Sequence, residues 1–400
     1  MVTTFYPPYH FGGDAIYVRA LSRALVERGH TVEVVHCEDA YLVSGNELDP
    51  SPGSPDDGIV VHRLKSRFGP LSPLITQQTG HPGLKAGALR AIFKRGFDVV
   101  NFHNISLVGG PGILGFSDAP VTLYTLHEHW LLCPTHIFWK NRSKACDVKQ
   151  CIRCSIRSGI PPQWWRYTGL IENAIAHVDA FLAPSEFTAA LHRESGIGPV
   201  TVLPLFSTLD PPAHGSDIAL PRPRFLCVGR VTASKGILPL LERFAALPEY
   251  DITVVGDGDL RARLEQQFAQ FPNIRFLGLI PQSELTVLYR HATALVFPSL
   301  APETFGLSIV EAFACGTPAI VRDAGGSREL VDATGGGIVY RTDDELVQAL
   351  RQLAGDRALR VQLGQRARAG FERRYTQKHH VDAYLECIDM IRQNKTVAVR

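Results

Sequence analysis

Short runs of Val, Ile and Leu recur along the chain, and between them apolar residues return every three or four positions. The runs read as strands buried on both faces, and the longer period between them reads as amphipathic helix. In the first half the runs fall at 31–36, 59–63, 98–102, 121–126, 180–184 and 200–204. They follow a start, MVTT, that is shorter than an ordinary buried strand. A first helix is expected over 13–29. The alternation restarts at 224–229 and continues through 251–256, 273–278, 294–298, 319–321 and 337–340. Strand and helix alternating in this way predict α/β architecture with doubly wound parallel sheets, here twice over.

Two stretches break the pattern. Residues 207–223 are rich in Pro and polar residues and lack a period, so they read as a linker. From about 128 to 165 neither strand nor helix is evident, and this stretch reads as a Cys-rich insertion in the first domain. The expected organisation is therefore 1–206, a linker at 207–223, and a second domain at 224–375. A helical segment follows over 376–400.

Composition narrows the possibilities. The 400 residues carry 41 Lys and Arg against 39 Asp and Glu, a net charge of +2 that disfavours nucleic acid as the main partner. No apolar run approaches roughly 18 residues, so no membrane-spanning helix is expected. The N-terminus lacks the basic start and apolar stretch of a secretory signal. A cytoplasmic setting is expected, with peripheral contact at the inner face of a membrane left open.

The loops after the strands carry the candidate chemistry. In 302-PETFGLSIVEAFACGTP-318, a strand leads through a loop to a helix that starts beside Gly306, with Glu303 before it and Glu311 about one turn inside. Backbone amides at a helix start suit an anion, and flanking carboxylates suit sugar hydroxyls. Together they point to a ligand that is both phosphate and sugar. In 228-VGRVTASKG-236, Arg230 and Lys235 follow a strand end, where two cations can grip a diphosphate. Gly12 and Gly13, in 10-HFGGD-14, open the first helix and allow close backbone approach. Asp257 and Asp259 form a D-x-D pair, with Asp259 read as the N-cap of the next helix rather than as a metal ligand.

These pieces, with LHEHW at 126–130, VGDGDL at 255–260 and FLGLIPQSEL at 276–285, resemble the retaining glycosyltransferases of family 4. The resemblance covers almost the whole chain outside the insertion. It implies the GT-B fold, in which two Rossmann-like domains face a cleft and the last helix crosses back to the first domain. It also implies transfer of a hexosyl-type sugar from a nucleotide diphosphate to a glycan, glycolipid or lipid-linked saccharide. The anomeric configuration would be kept and no catalytic metal used. Residue by residue, His127, Arg230, Lys235 and Glu303 would act on the transferring sugar and the leaving diphosphate. Gly12, Gly13, Ile280, Phe305, Gly306, Leu307, Ser308 and Glu311 would bind the donor, with Glu311 on the ribose and Ile280 near the base. The family often has His-Asp where this chain has His127-Glu128. A silent scaffold on the same fold, or a nucleotide-sugar epimerase, remains as an alternative.

Cys133, Cys146, Cys151 and Cys154 lie within the insertion at C-x12-C-x4-C-x2-C spacing. That spacing suggests a structural zinc, with His129 or His136 as a substitute for Cys133. Free thiols, a disulfide and an iron–sulfur cluster are the other readings. Cys37, Cys227, Cys315 and Cys387 read as small buried hydrophobes. All four tryptophans also fall in this window. Between Lys140 and Arg166 stand seven basic residues and one acid, Asp147. Two readings compete for this composition: an acceptor- or membrane-recognising surface, or an aromatic mini-core with a basic rim.

Overall fold

The computed structural model describes residues 1–43, 58–209 and 222–398, with side chains to 397. Most of the expected linker thus lies outside the described residues. The chain divides into two compact units. The first comprises Met1–His136, Lys149–Leu203 and His380–Arg400, and the second Ile137–Val148 and Pro204–His379.

In the first unit, β1 (Val32–Cys37) and β2 (Ile59–Leu64) pair in parallel, and β3 (Val99–Phe102) pairs with β4 (Val121–Thr125). The two-residue strands β5 (Trp139–Lys140) and β6 (Lys144–Ala145) form a small antiparallel ladder that groups with the second unit. Then β7 (Ala180–Ala183) and β8 (Val200–Val202) complete the sheet order β3-β4-β7-β8. The N-terminal strand expected at MVTT appears only as bridges from Val2 to Val35 and to Phe102. Its backbone nevertheless bonds on both sides: Thr3 N–H donates to Val35 O at 2.9 Å, and Val2 N–H to Asn101 O at 2.9 Å. Four residues are too few for a ladder but enough to stitch β1 to β3. The sheet is therefore continuous, with helices over apolar residues such as Phe102, Ile113 and Phe181.

The insertion is more ordered than its sequence suggests. A short helix spans Cys151–Arg157, and a 3₁₀ turn spans Trp164–Tyr167. Neither has a side-chain N-cap, which is why no start signal was legible. Trp130, Trp139 and Trp165 are buried, and Trp164 alone of the four is exposed, at 58%. Arg166 lies over the rings of Trp130 and Trp165, 5.2 and 4.7 Å from their centroids. It donates to the Trp130 carbonyl at 2.7 Å and to the Leu131 carbonyl at 3.1 Å. Two of the four tryptophans thus form a mini-core around one cation.

In the second unit, β9 (Arg224–Val228), β10 (Asp251–Val255), β11 (Ile274–Gly278), β12 (Ala294–Phe297), β13 (Ala319–Arg322) and β14 (Gly337–Tyr340) are all parallel. Their spatial order is β11-β10-β9-β12-β13-β14. Phe225, Phe244, Leu241 and Ile320 fill the core between sheet and helices.

Arg166→Met keeps the apolar stem but leaves the Trp130 and Leu131 carbonyls without their donor. It is expected to cost about 2–4 kcal/mol, read as a lower midpoint in chemical denaturation.

Candidate functional site

In the second unit the chain runs from β9 outward through β10 to β11, then returns to start β12 on the other side of β9. At such a reversal the C-terminal ends of the two strands border the crevice where ligands bind in open α/β sheets. The residues expected there follow these two strands. Arg230 and Lys235 come after β9, and Glu303 to Ser308 come after β12.

The backbone holds the two loops together. Leu300 and Ala301 N–H both donate to the Ser234 carbonyl, at 2.8 and 3.0 Å. Gly236 has φ +69°, and a Cβ there would lie 2.2 Å from the Pro298 carbonyl oxygen, so only glycine fits. Across this seam Lys235 Nζ meets Glu303 Oε1 at 2.6 Å, and Ser299 Oγ also donates to that oxygen. Burial works to raise the Glu303 carboxyl. Lys235, Ser299 and Arg230 outweigh it and hold the group below its usual value. Glu303 is therefore ionised, with the Lys235 ammonium group against it. Arg230 is exposed.

Gly306 is the N-cap of the helix Leu307–Ala314, at φ +156°; a Cβ there would crowd Ile309 Cδ1 at 2.8 Å. Ile309 and Val310 N–H turn back to the Gly306 carbonyl, at 2.9 and 3.3 Å. The amides of Leu307 and Ser308, the first two of the helix, have no acceptor within it by geometry. Phe305 is buried and packs edge-on against Tyr375, with centroids 6.1 Å apart. It anchors the loop rather than lining it. Glu311 accepts from Tyr289 Oη at 2.7 Å. Burial pushes its carboxyl up to about 7, and the tyrosine bond pulls the other way. The two glutamates thus differ in charge at neutral pH, one firmly ionised and one near its midpoint. Ile280, two residues beyond β11, is half-buried.

In the first unit Gly12 is the N-cap of the helix Gly13–Glu27, and Asp14 sits in its first turn. Burial, with Glu128 nearby, raises the Asp14 carboxyl to about 6. Glu128 itself pairs with His136 at 2.8 Å. His127 follows β4, and burial pushes its imidazole down to about 3, leaving it neutral. Tyr289, Ser299 and Asp14 escaped the sequence reading. Asp14 directly follows the quoted glycines. Tyr289 lies in a stretch with no motif to mark it, and Ser299 closes the apolar run 294–299, where nothing singles out its hydroxyl.

Two expectations need correction. Asp259 caps nothing: Leu260 is the N-cap of the helix Arg261–Gln267 and makes no side-chain cap bond. The exposed Asp259 carboxylate instead lies 3.5 Å from Arg142. The four-thiolate zinc site at Cys133, Cys146, Cys151 and Cys154 is not assembled. Among the described residues no group of three or more His, Cys, Asp or Glu side chains is placed to hold a metal ion. Burial and the nearby Cys133 and Cys154 raise the Cys151 thiol, so these three share a neighbourhood. Cys146 belongs to the segment that groups with the second unit, and its Sγ lies 3.8 Å from the Val148 carbonyl. All eight cysteines are free thiols, and Cys315 is half-buried rather than fully buried.

Two units, each built on a parallel sheet with helices, are the architecture of GT-B glycosyltransferases. The same architecture is found in sucrose-phosphate synthase from Thermosynechococcus elongatus, with TM-score 0.72, 20% identity, and coverage of 99% of this chain and 98% of that one. It recurs in Anabaena HepE in complex with UDP and glucose, with TM-score 0.61, 16% identity, and 100% and 98% coverage. Residues 11–206 match the family model described as Glycosyltransferase Family 4, and residues 215–370 match that described as Glycosyl transferases group 1. An uncharacterized glycosyltransferase of Methanocaldococcus jannaschii is 30% identical, with 98% of each chain covered. The chain belongs to glycosyltransferase family 4. It spans only 48% of the Escherichia coli O-antigen chain mannosyltransferase C, at 27% identity over 43% of this chain. It likewise spans 30% of the Arabidopsis thaliana sulfoquinovosyl transferase SQD2, at 32% identity over 38% of this chain.

Gly236→Ala is expected to lower stability by about 1–3 kcal/mol, because it strains φ and pushes the loop of Lys235 off Pro298. The check is a paired measurement of melting temperature and of loop protection by hydrogen exchange. Deprotection should concentrate at 230–236 and 298–303.

Proposed function

We propose that this chain transfers a hexosyl-type sugar from a nucleotide diphosphate to an acceptor hydroxyl, with retention of configuration and no catalytic metal. The acceptor oxygen attacks the anomeric carbon as the bond from that carbon to the phosphate oxygen breaks. The acceptor proton passes to the departing phosphate oxygen, and the nucleoside diphosphate leaves with the electron pair. Arg230, Lys235 and the amides of Leu307 and Ser308 take up the charge that develops on the diphosphate. Glu303 accepts from sugar hydroxyls and Glu311 from the ribose hydroxyls, while the backbone near Ile280 meets the base. In the first unit, Gly12 and Gly13 give the donor close access to backbone, and His127 contacts the transferring sugar.

The observation that carries this reading is the pairing of Lys235 with Glu303 at the sheet's reversal point, beside the start of the helix that bears Glu311. Taking that pair partly out of water costs desolvation, and it holds Lys235 where a diphosphate could share its charge. Among the relatives, HepE is solved with UDP-glucose, and mycobacterial relatives are named GDP-mannose-dependent. Those names differ in base, so the base is a matter for experiment. Relatives named for O-antigen and phosphatidylinositol dimannoside favour a glycan or lipid-linked acceptor. Exposed Trp164, Tyr167 and Ile156, beside the exposed Arg153 and Arg157, would suit peripheral contact with an anionic membrane. Buried Trp165 would take no part in that contact.

A thermal-shift panel of UDP, GDP, ADP and dTDP and their sugars, in EDTA, tests the donor. One nucleotide at about 100 times its Kd should add roughly 2.7 kcal/mol to stability, and Glu311→Ala should lose that gain. Stabilisation by none of them would defeat the reading.

The Glu311 carboxyl adds a pH signature. Its pKa is raised by folding, from 4.5 to about 7. Its contribution to stability is therefore full below about 4.5 and is lost as pH rises through about 7. Ribose hydroxyls donate to the ionised form, so nucleotide binding should tighten as pH rises through about 7 and release part of a proton. Calorimetry in buffers of different ionisation enthalpy should detect that release in the wild type and not in Glu311→Gln. Equal release in both would remove Glu311 from the ribose.

A further inference from the structure

His103, which no motif singles out, follows β3 and is buried to 1% exposure. Its Nδ1 lies 3.0 Å from Nε2 of His127. The ring centroids are 5.2 Å apart and the planes 24° off parallel. That separation is about the N···N distance plus two ring radii, so the rings meet end to end in one hydrogen bond. Tyr17 packs edge-on against both, at 5.0 Å from His127 and 6.2 Å from His103, and bonds to His380 Nε2 at 2.7 Å. The pair is wedged and cannot turn freely.

The proton in that bond can be assigned from its far end. Nε2 of His103 lies 3.4 Å from Met1 Sδ. A thioether sulfur accepts and never donates, so this contact calls for a proton on His103 Nε2. A neutral His103 protonated there has a lone pair at Nδ1. That lone pair must take a proton from His127 Nε2, and a neutral His127 then has no proton on Nδ1. Burial favours the neutral form of both rings.

We propose that His103 is a positioning residue that fixes His127 in its Nε2–H tautomer, so that His127 meets a donor-sugar hydroxyl as an acceptor at Nδ1. The sugar contact rests on the functional reading above; the tautomer does not. A His127 in the opposite tautomer would offer a proton at Nδ1 and would select a hydroxyl oxygen as acceptor instead. The relay therefore sets which hydroxyl geometry the sugar must present.

Imidazole ¹⁵N NMR of the full chain tests this, with the His127 signals assigned by their loss in His127→Asn. Wild type, free of ligand near neutral pH, should show His127 protonated at Nε2 and bare at Nδ1. His103→Asn places an amide oxygen at the Nδ1 position and should keep that tautomer, whereas His103→Leu should release it to a mixture. With a turned-over donor, kcat/KM should fall about tenfold in His103→Leu and recover in His103→Asn, as expected for loss of one hydrogen bond. A His127 that is cationic or carries its proton on Nδ1 in the wild type would overturn the proposal, and that spectrum needs no variant of His103 to fold. An unchanged tautomer, or unchanged kcat/KM, in His103→Leu would overturn it as well. If no nucleotide sugar binds, the functional reading fails, while the tautomer is still decided in the free protein.

Discussion

The ion pair between Lys235 and Glu303 ties together the two loops on which the candidate site depends. Taking a lysine and a glutamate partly out of water costs more than a surface contact would return, unless the pair also fixes geometry. Here it does. It joins the loop after β9 to the loop after β12, which the strand order sets side by side and the Ser234 carbonyl clasps. With Glu303 held ionised, Lys235 is pre-positioned yet able to share its charge with an incoming phosphate. The pairing thus keeps the two side chains, and the loops that carry them, in register.

The two glutamates show how environment divides one chemistry into two roles. Glu303 faces a cation and a hydroxyl and stays below its usual titration range. Glu311, about one turn into the helix Leu307–Ala314, is raised toward neutrality by burial, against the pull of its tyrosine partner. The identity of the residues is the same, and the distinction comes wholly from their partners. A ligand that donates hydroxyls to Glu311 binds its ionised form, so below about pH 7 part of its binding energy goes into that deprotonation.

Much of this was legible in the sequence because it depends on local patterns. Strand runs, the glycine before Leu307 and the cations after Val228 are visible without coordinates, and their order along the chain predicts where they meet. What was not legible depends on contacts distant in sequence. Tyr289 reaches Glu311 from another helix, and His103 reaches His127 across neighbouring strands. The helix Cys151–Arg157 has no cap signal, and the burial of Trp165 depends on Arg166 and on the carbonyl of Gln77, which accepts its indole proton at 2.9 Å. Cysteine spacing alone suggested a metal, but spacing does not say that the segment of Cys146 groups with the second unit.

The most direct test of the central claim is hydrogen exchange of the free chain against the chain saturated with its nucleotide sugar, resolved by peptide. Within the second unit, the account predicts new protection confined to the amides of 229–236 and 303–308, with a weaker change near Ile280. Protection that falls elsewhere in the second unit, or none in these loops despite binding, would contradict it.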